Sequence, residues 1–220
     1  MNVRIEIWSD VVCPWCYIGK RRLETALAGF PHRDEVEVVW RSFQLDPSTP
    51  REVTNERVAD RLASKYGMSA DEARQMQARV TALAAEEGMH WRHDESPVAN
   101  TIDAHRLIHL AEQQGGTKLQ GELKEALLNA YFAEARNVGD RSVLRDVAVG
   151  VGLDPARVDE VLASNEFEDA VQADIQQAAA FGATGVPFFV VDRKFGVSGA
   201  QPTELFTQVL ERAWSEASAN

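Results

Sequence analysis

Two cysteines two residues apart, in Cys13-Pro14-Trp15-Cys16, are the only sulfhydryls in this 220-residue chain and its most reactive side chains. A thiolate attacks disulfides, and a second thiol one helical turn away can close on the first. The spacing therefore suits reversible thiol–disulfide exchange. Two other uses compete: inert buried thiols, or half of a metal site. A structural zinc site needs four ligands, and there is no second Cys-x-x-Cys. The five histidines (His32, His90, His93, His105, His109) are scattered, and His105 and His109 read as one face of a helix. Redox chemistry is the reading that the context favours, with no metal and no cofactor beyond the cysteine pair.

The flanking residues decide how the sulfurs are presented. Val3–Trp8 alternates and carries β-branched residues, which predicts a strand. Tyr17–Phe30 has Ile18, Leu23, Leu27 and Phe30 at helical spacing. The pair thus lies where a strand hands over to a helix, whose unpaired N–H groups and dipole stabilise an anion. A free thiol has a pKa near about 8.5, and Cys-x-x-Cys at a helix start lies roughly one to five units lower. Cys13, at the helix mouth, is expected to be the more exposed, attacking sulfur, and Cys16 the resolving one. Pro14 suits the first helical turn, and Trp15 is expected to tune access.

Hydrophobic content of 45% and charge of 26% describe an ordinary globular chain, and the net charge of −11 argues against nucleic acid and anionic membranes as partners. The opening Met1-Asn2-Val3-Arg4-Ile5-Glu6 shows no basic start followed by an apolar run, so no signal peptide is expected. No stretch approaches membrane-spanning length. A cytoplasmic location is expected, where a persistent structural disulfide is disfavoured.

A turn at Phe30–Asp34 leads to a second strand, Val36–Phe43, and strand–helix–strand order predicts a parallel crossover. After Leu45-Asp46-Pro47-Ser48-Thr49-Pro50 the character changes, and from about Thr54 to Ala180 nearly everything reads as helix. Ser69-Ala70-Asp71-Glu72 is a capping box for a helix to Glu87. Thr101–Gln114 and Lys118–Ala135 are separated by Gly115-Gly116. Shorter helices are expected at Asp140–Val149, Asp154–Ser164 and Glu168–Phe181. Val186–Asp192 and Phe195–Ser198 then read as a hairpin, and a last helix carries Leu205, Val209, Leu210 and Trp214 on its apolar side. The chain is thus an α/β domain, residues 1–50 and 183–220, interrupted by a helical domain, 51–182.

Three motifs carry a resemblance: Ser9-Asp10-Val11-Val12-Cys13-Pro14-Trp15-Cys16-Tyr17-Ile18-Gly19, Asn100-Thr101-Ile102-Asp103-Ala104-His105-Arg106-Leu107, and Gly182-Ala183-Thr184-Gly185-Val186-Pro187-Phe188-Phe189. With the order of elements, they make the whole chain resemble the DsbA family, a thioredoxin fold interrupted by a large helical insertion, in its FrnE-like branch. The local sequence around Pro187 alone reads as a trans proline starting an edge strand. The resemblance implies instead a cis Val186–Pro187 bond facing the cysteines. Pro14, Trp15, Val186 and Pro187 would then border an extended substrate held as an added strand. The family also implies a buried carboxylate that moves protons near the inner thiol. Glu6 is the candidate on the strand. The stretch from Glu6 to Cys13 is one residue longer than the common pattern, and a one-residue shift reverses a side chain's face. Asp10 is therefore the alternative.

The function so implied is a thiol–disulfide oxidoreductase, or disulfide isomerase, acting on protein or peptide thiols. The rival is a glutathione-dependent isomerase or transferase resembling 2-hydroxychromene-2-carboxylate isomerase and the kappa-class glutathione transferases. Those relatives carry serine where this chain has Cys13. A third possibility is a chaperone module without redox turnover. Expected partners are protein or peptide thiols and disulfides, or glutathione as co-substrate, with a homodimer left open.

Overall fold

The computed structural model of the chain describes residues 2–218. It opens with β1 (Val3–Ser9), α1 (Pro14–Gly29) and β2 (Val36–Ser42). β1 and β2 run parallel, Val3 opposite Val36 through Ser9 opposite Ser42, as a crossover helix requires. Six helices follow: α2 (Val58–Tyr66), α3 (Ala70–Glu86), α4 (Ile102–Phe132), α5 (Arg141–Gly150), α6 (Pro155–Ala163) and α7 (Glu168–Ala180). The chain then returns as β3 (Phe188–Val191), β4 (Phe195–Ser198) and α8 (Thr203–Ser218). β3 pairs antiparallel with β1, so the sheet order is β2-β1-β3-β4.

Side-chain alternation along β1 divides the core. Val3, Ile5 and Ile7 join Ile18 and Leu23 of α1 and Phe206 and Leu210 of α8 in one cluster. Trp8 lies on the opposite face with Ala178 of α7 and Phe188 and Val190 of β3. β2 is an edge strand, and the helical region covers it. Gln120 of α4 accepts from the Trp40 N–H at 2.9 Å and donates to the Trp40 carbonyl at 3.0 Å, and Asp174 of α7 accepts from the Ser42 N–H at 2.8 Å. Pairing the free edge in this way removes its capacity for strand addition, and it lays α4 along the sheet.

The Ser69–Glu72 capping box forms. The expected break at Gly115-Gly116 is a bend within α4, and Gly116 takes φ 65° there, a left-handed conformation that favours glycine. Between α3 and α4 the chain is not helical apart from one short turn at His93–Glu95: Gly88, at φ 76°, follows the end of α3, and Arg57 bridges to Pro97 in an extended pairing. One expectation needs correction. In α8 the buried residues are Phe206, Leu210 and Ala213, while Leu205 is exposed. A helix that docks along one line buries the i, i+4, i+7 row, and that row starts one residue after Leu205.

The Asn100–Leu107 motif is a structural knot. Arg106, fully buried, donates to Asp103 at 2.6 Å and to the carbonyls of Val161, Ser164 and Glu166. Asp103 also accepts from Arg141 at 3.0 Å. One side chain thereby ties α4 to the end of α6 and the start of α7. Among the described residues no helix is long and apolar enough to cross a membrane.

Candidate active site

Cys13 is the N-cap residue of α1, with Pro14 at the first helical position, and its sulfur makes no capping hydrogen bond. The sulfur is therefore free for chemistry at the helix mouth. Its Sγ lies 3.6 Å from the carbonyl oxygen of Val186, and the Val186–Pro187 bond is cis. Gly19 leaves room for this approach. A Cβ there would stand 3.1 Å from Pro187 Cγ and 3.3 Å from Phe189 Cζ, so any side chain would crowd the proline loop against α1. The cysteines are unpaired, and both are buried, at 3% and 1% exposure. Exposure does not separate them as the sequence suggested, because the fold buries both. What separates them is that Cys13, with Pro14, Trp15 and Val186, borders a cavity of about 690 Å³. Trp15 stands at its rim, 41% exposed.

The carboxylates divide by strand parity. Glu6 is on the Trp8 side of β1, where Arg41 at 2.8 Å and Arg193 at 3.4 Å hold it in an ion-pair group that continues to Asp174 and His109. α1 packs on the Ile5/Ile7 side, so Glu6 lies across the sheet from the cysteine helix. Asp10 follows the strand, and its carbonyl accepts from the Cys13 N–H at 3.3 Å. Its buried carboxylate accepts from the Leu45 N–H at 2.8 Å and meets His105 Nε2 at 3.2 Å. Burial pushes the Asp10 carboxyl up. The His105 contact, the Leu45 N–H and the Lys124 charge outweigh it and hold the group below the usual range. Burial holds His105 down as well, against the pull of Asp10.

Sequence reasoning passed over Lys124. It lies on α4 one turn after the Gln120 clamp, completely buried, with Nζ 5.5 Å from the Trp40 ring centre. Burial pushes its ammonium down to about 8, while the charges of Cys16, Asp10 and Cys13 pull it up. The available signal was a lysine interrupting the apolar row of Leu119, Leu123, Leu127 and Leu128.

The sulfurs ionise as a pair. The Cys13 proton has two acceptors in reach, the Val186 carbonyl and the Cys16 sulfur. The hydrogen bond to Cys16, then burial and the negative charges of Cys16 and Asp10, push the Cys13 thiol well up, against one backbone N–H from Cys16. Burial also raises Cys16. The hydrogen bond from Cys13, the Lys124 charge, the Ser9 hydroxyl and the Asp10 backbone together outweigh it and lower the thiol. The Lys124 charge from α4 thus favours ionisation of the inner sulfur, while the hydrogen bond to Cys16 opposes ionisation of Cys13. Among the described residues no group of three or more His, Cys, Asp or Glu is arranged to hold a metal ion.

His93 lines the cavity, buried, and burial holds its imidazole down to about 4. The unfolded chain takes up a proton near about pH 6.5 that the folded site refuses. Stability is therefore full above that pH and is lost as pH falls toward 4. Urea unfolding should show a loss of about 2 kcal/mol between pH 6.5 and 5 from this residue. His93→Phe should flatten that slope, and an unchanged slope would refute the assignment.

The model of the DSBA-like thioredoxin domain family matches residues 4–211. A probable DsbA oxidoreductase from Streptomyces coelicolor is 49% identical, with a TM-score of 0.90 over 98% of this chain and 91% of that one. The uncharacterized protein YwbO of Bacillus subtilis (strain 168) is 28% identical over 212 residues, 96% of each chain. A 2-hydroxychromene-2-carboxylate isomerase, 12% identical with a TM-score of 0.71 over 98% of each chain, shares the fold. The family match runs from the first strand into the last helix and takes in both the hairpin and the helical excursion, so the chain belongs to the DSBA-like thioredoxin domain family and has the interrupted thioredoxin fold that its motifs implied.

Proposed function

We propose that this protein is a thiol–disulfide oxidoreductase working through Cys13 and Cys16. The observation that carries the reading is the Cys13 sulfur at the helix mouth, 3.6 Å from the carbonyl before a cis proline and open to the cavity. Cys13 attacks one sulfur of a substrate disulfide and passes its proton to the Cys16 thiolate. A mixed disulfide forms, and the other half of the substrate leaves as a thiolate. Cys16 then loses that proton, attacks Cys13 and closes the internal disulfide, releasing the second half. Pro14, Trp15, Val186 and Pro187 border the approach and suit an extended peptide held by backbone hydrogen bonds.

Lys124, near 8, is the group fitted to take up and release a proton at neutral pH. Asp10 stays ionised beside it and keeps the Cys13 thiol up. Glu6, across the sheet, takes no part. The protein needs no cofactor beyond the pair, and glutathione serves as co-substrate. We place the reaction in the cytoplasm, on protein or peptide thiols and disulfides. A glutathione redox titration read by alkylation and intact mass tests this. One two-electron transition involving both cysteines is expected, and its potential separates a reductase (about −270 mV) from an isomerase (about −180 mV). A pair that exchanges with neither reduced nor oxidised glutathione would sink the reading.

The cavity beside Cys13 favours a second reading, a glutathione-dependent isomerase of small molecules. Isomerisation of an aromatic substrate that persists in Cys16→Ala would support that one instead.

A further inference from the structure

The cavity is larger than a strand-addition groove needs. Its volume, about 690 Å³, is that of a site for a whole small molecule rather than for one side chain. The helical excursion builds most of it, with Val58 and Leu62 of α2, Met76 and Val80 of α3, and Val98 beyond them. Lys65 is an exposed member of its lining, and the principal buried or half-buried ionisable groups are neutralised or spent. Arg61 is held by Glu56 at 2.6 Å and Asp46 at 3.6 Å, Asp10 by Leu45 and His105, and the Tyr131 hydroxyl donates to the Pro97 carbonyl at 2.9 Å. His93 is neutral at physiological pH.

One group is left over. Gln77, on the same wall and 3% exposed, donates through Nε2 to the His93 carbonyl at 2.9 Å, which fixes the amide and leaves Oε1 without a partner. A buried acceptor with no donor is rare in folded proteins and calls for an explanation.

We propose that the cavity binds the uncharged, apolar body of a low-molecular-weight disulfide or thiol, that this body carries one N–H or O–H donor for Gln77 Oε1, and that its sulfur is delivered to Cys13. The proposal rests on the oxidoreductase reading and adds the substrate class. The neutral, apolar interior disfavours the carboxylates of glutathione there and suits an aromatic or branched aliphatic group. In the reaction the ligand's S–S bond breaks and the Cys13–Cys16 bond forms. Two electrons pass from the pair to the ligand, which leaves as two thiols, and reduced glutathione, itself oxidised to its disulfide, restores the dithiol.

The test compares reduction of diphenyl disulfide with its meta- and para-aminophenyl counterparts, with oxidised glutathione and a cysteine-containing peptide disulfide alongside. At least one amino compound should exceed diphenyl disulfide about tenfold in kcat/KM, chiefly through KM. Gln77→Leu should erase that ratio. Equal rates for amino and unsubstituted compounds in the wild type, which need no variant to fold, would overturn the proposal, as would a ratio that survives Gln77→Leu or a peptide preferred to every aromatic disulfide. If oxidised glutathione is reduced and aromatic disulfides are not, this proposal alone fails. If no disulfide is reduced, the oxidoreductase reading fails with it.

Discussion

Cys13→Ser is expected to abolish disulfide reduction, with a loss of at least about a thousandfold in kcat/KM. A serine hydroxyl does not ionise near neutral pH, and Cys16 cannot replace the lost sulfur, because the cavity is bordered by Cys13 and not by the inner cysteine. Cys16→Ala should behave differently. It removes the hydrogen bond and the negative charge that push the Cys13 thiol up, so Cys13 should ionise more readily and still attack. With no resolving thiol, the mixed disulfide should accumulate to one substrate half per chain, seen as an added mass that reductant removes. Turnover in Cys13→Ser close to the wild-type rate, or no adduct in Cys16→Ala, would refute the division of labour between the sulfurs.

Lys124→Met should move the redox couple without harming the fold. The substitution keeps the volume and deletes the buried charge beside Cys16, so the thiolate loses its main electrostatic support. Ultraviolet thiolate absorbance should titrate at higher pH, and the exchange rate at pH 7 should fall by about tenfold. A weaker thiolate stabilises the dithiol less, so the potential becomes more negative, by about 30 mV for each factor of ten. Lys124→Arg, which keeps the charge, should recover part of both. Because burying an ammonium is itself costly, the Met variant should melt no lower than the wild type. A lower melting temperature with an unchanged potential would mean that Lys124 only packs α4 against β2.

Much of the architecture could be read locally. The alternation of Val3–Trp8, the helical spacing after Cys16, the Ser69–Glu72 capping box and the Gly115-Gly116 bend are short-range signals, and each appears close to where it was expected. The segment 88–101, left between two expected helices, takes its extended shape from a long-range bridge between Arg57 and Pro97 that no local pattern announces. Leu205 was misread because periodicity finds an apolar stripe without saying which edge of it docks.

The sequence by itself placed a Cys-x-x-Cys between strand and helix, and its family resemblance supplied the proline loop that faces it. Tertiary structure decided the electrostatics. Strand parity turned Glu6 away, and α4, about a hundred residues along the chain, brought His105 to Asp10 and Lys124 near Cys16. The same packing brought the Lys124 charge to bear on the Cys16 thiol and left Gln77 in the cavity wall with an open acceptor. Periodicity and capping act over a few residues, whereas charges act through space, and only the packed fold sets those distances.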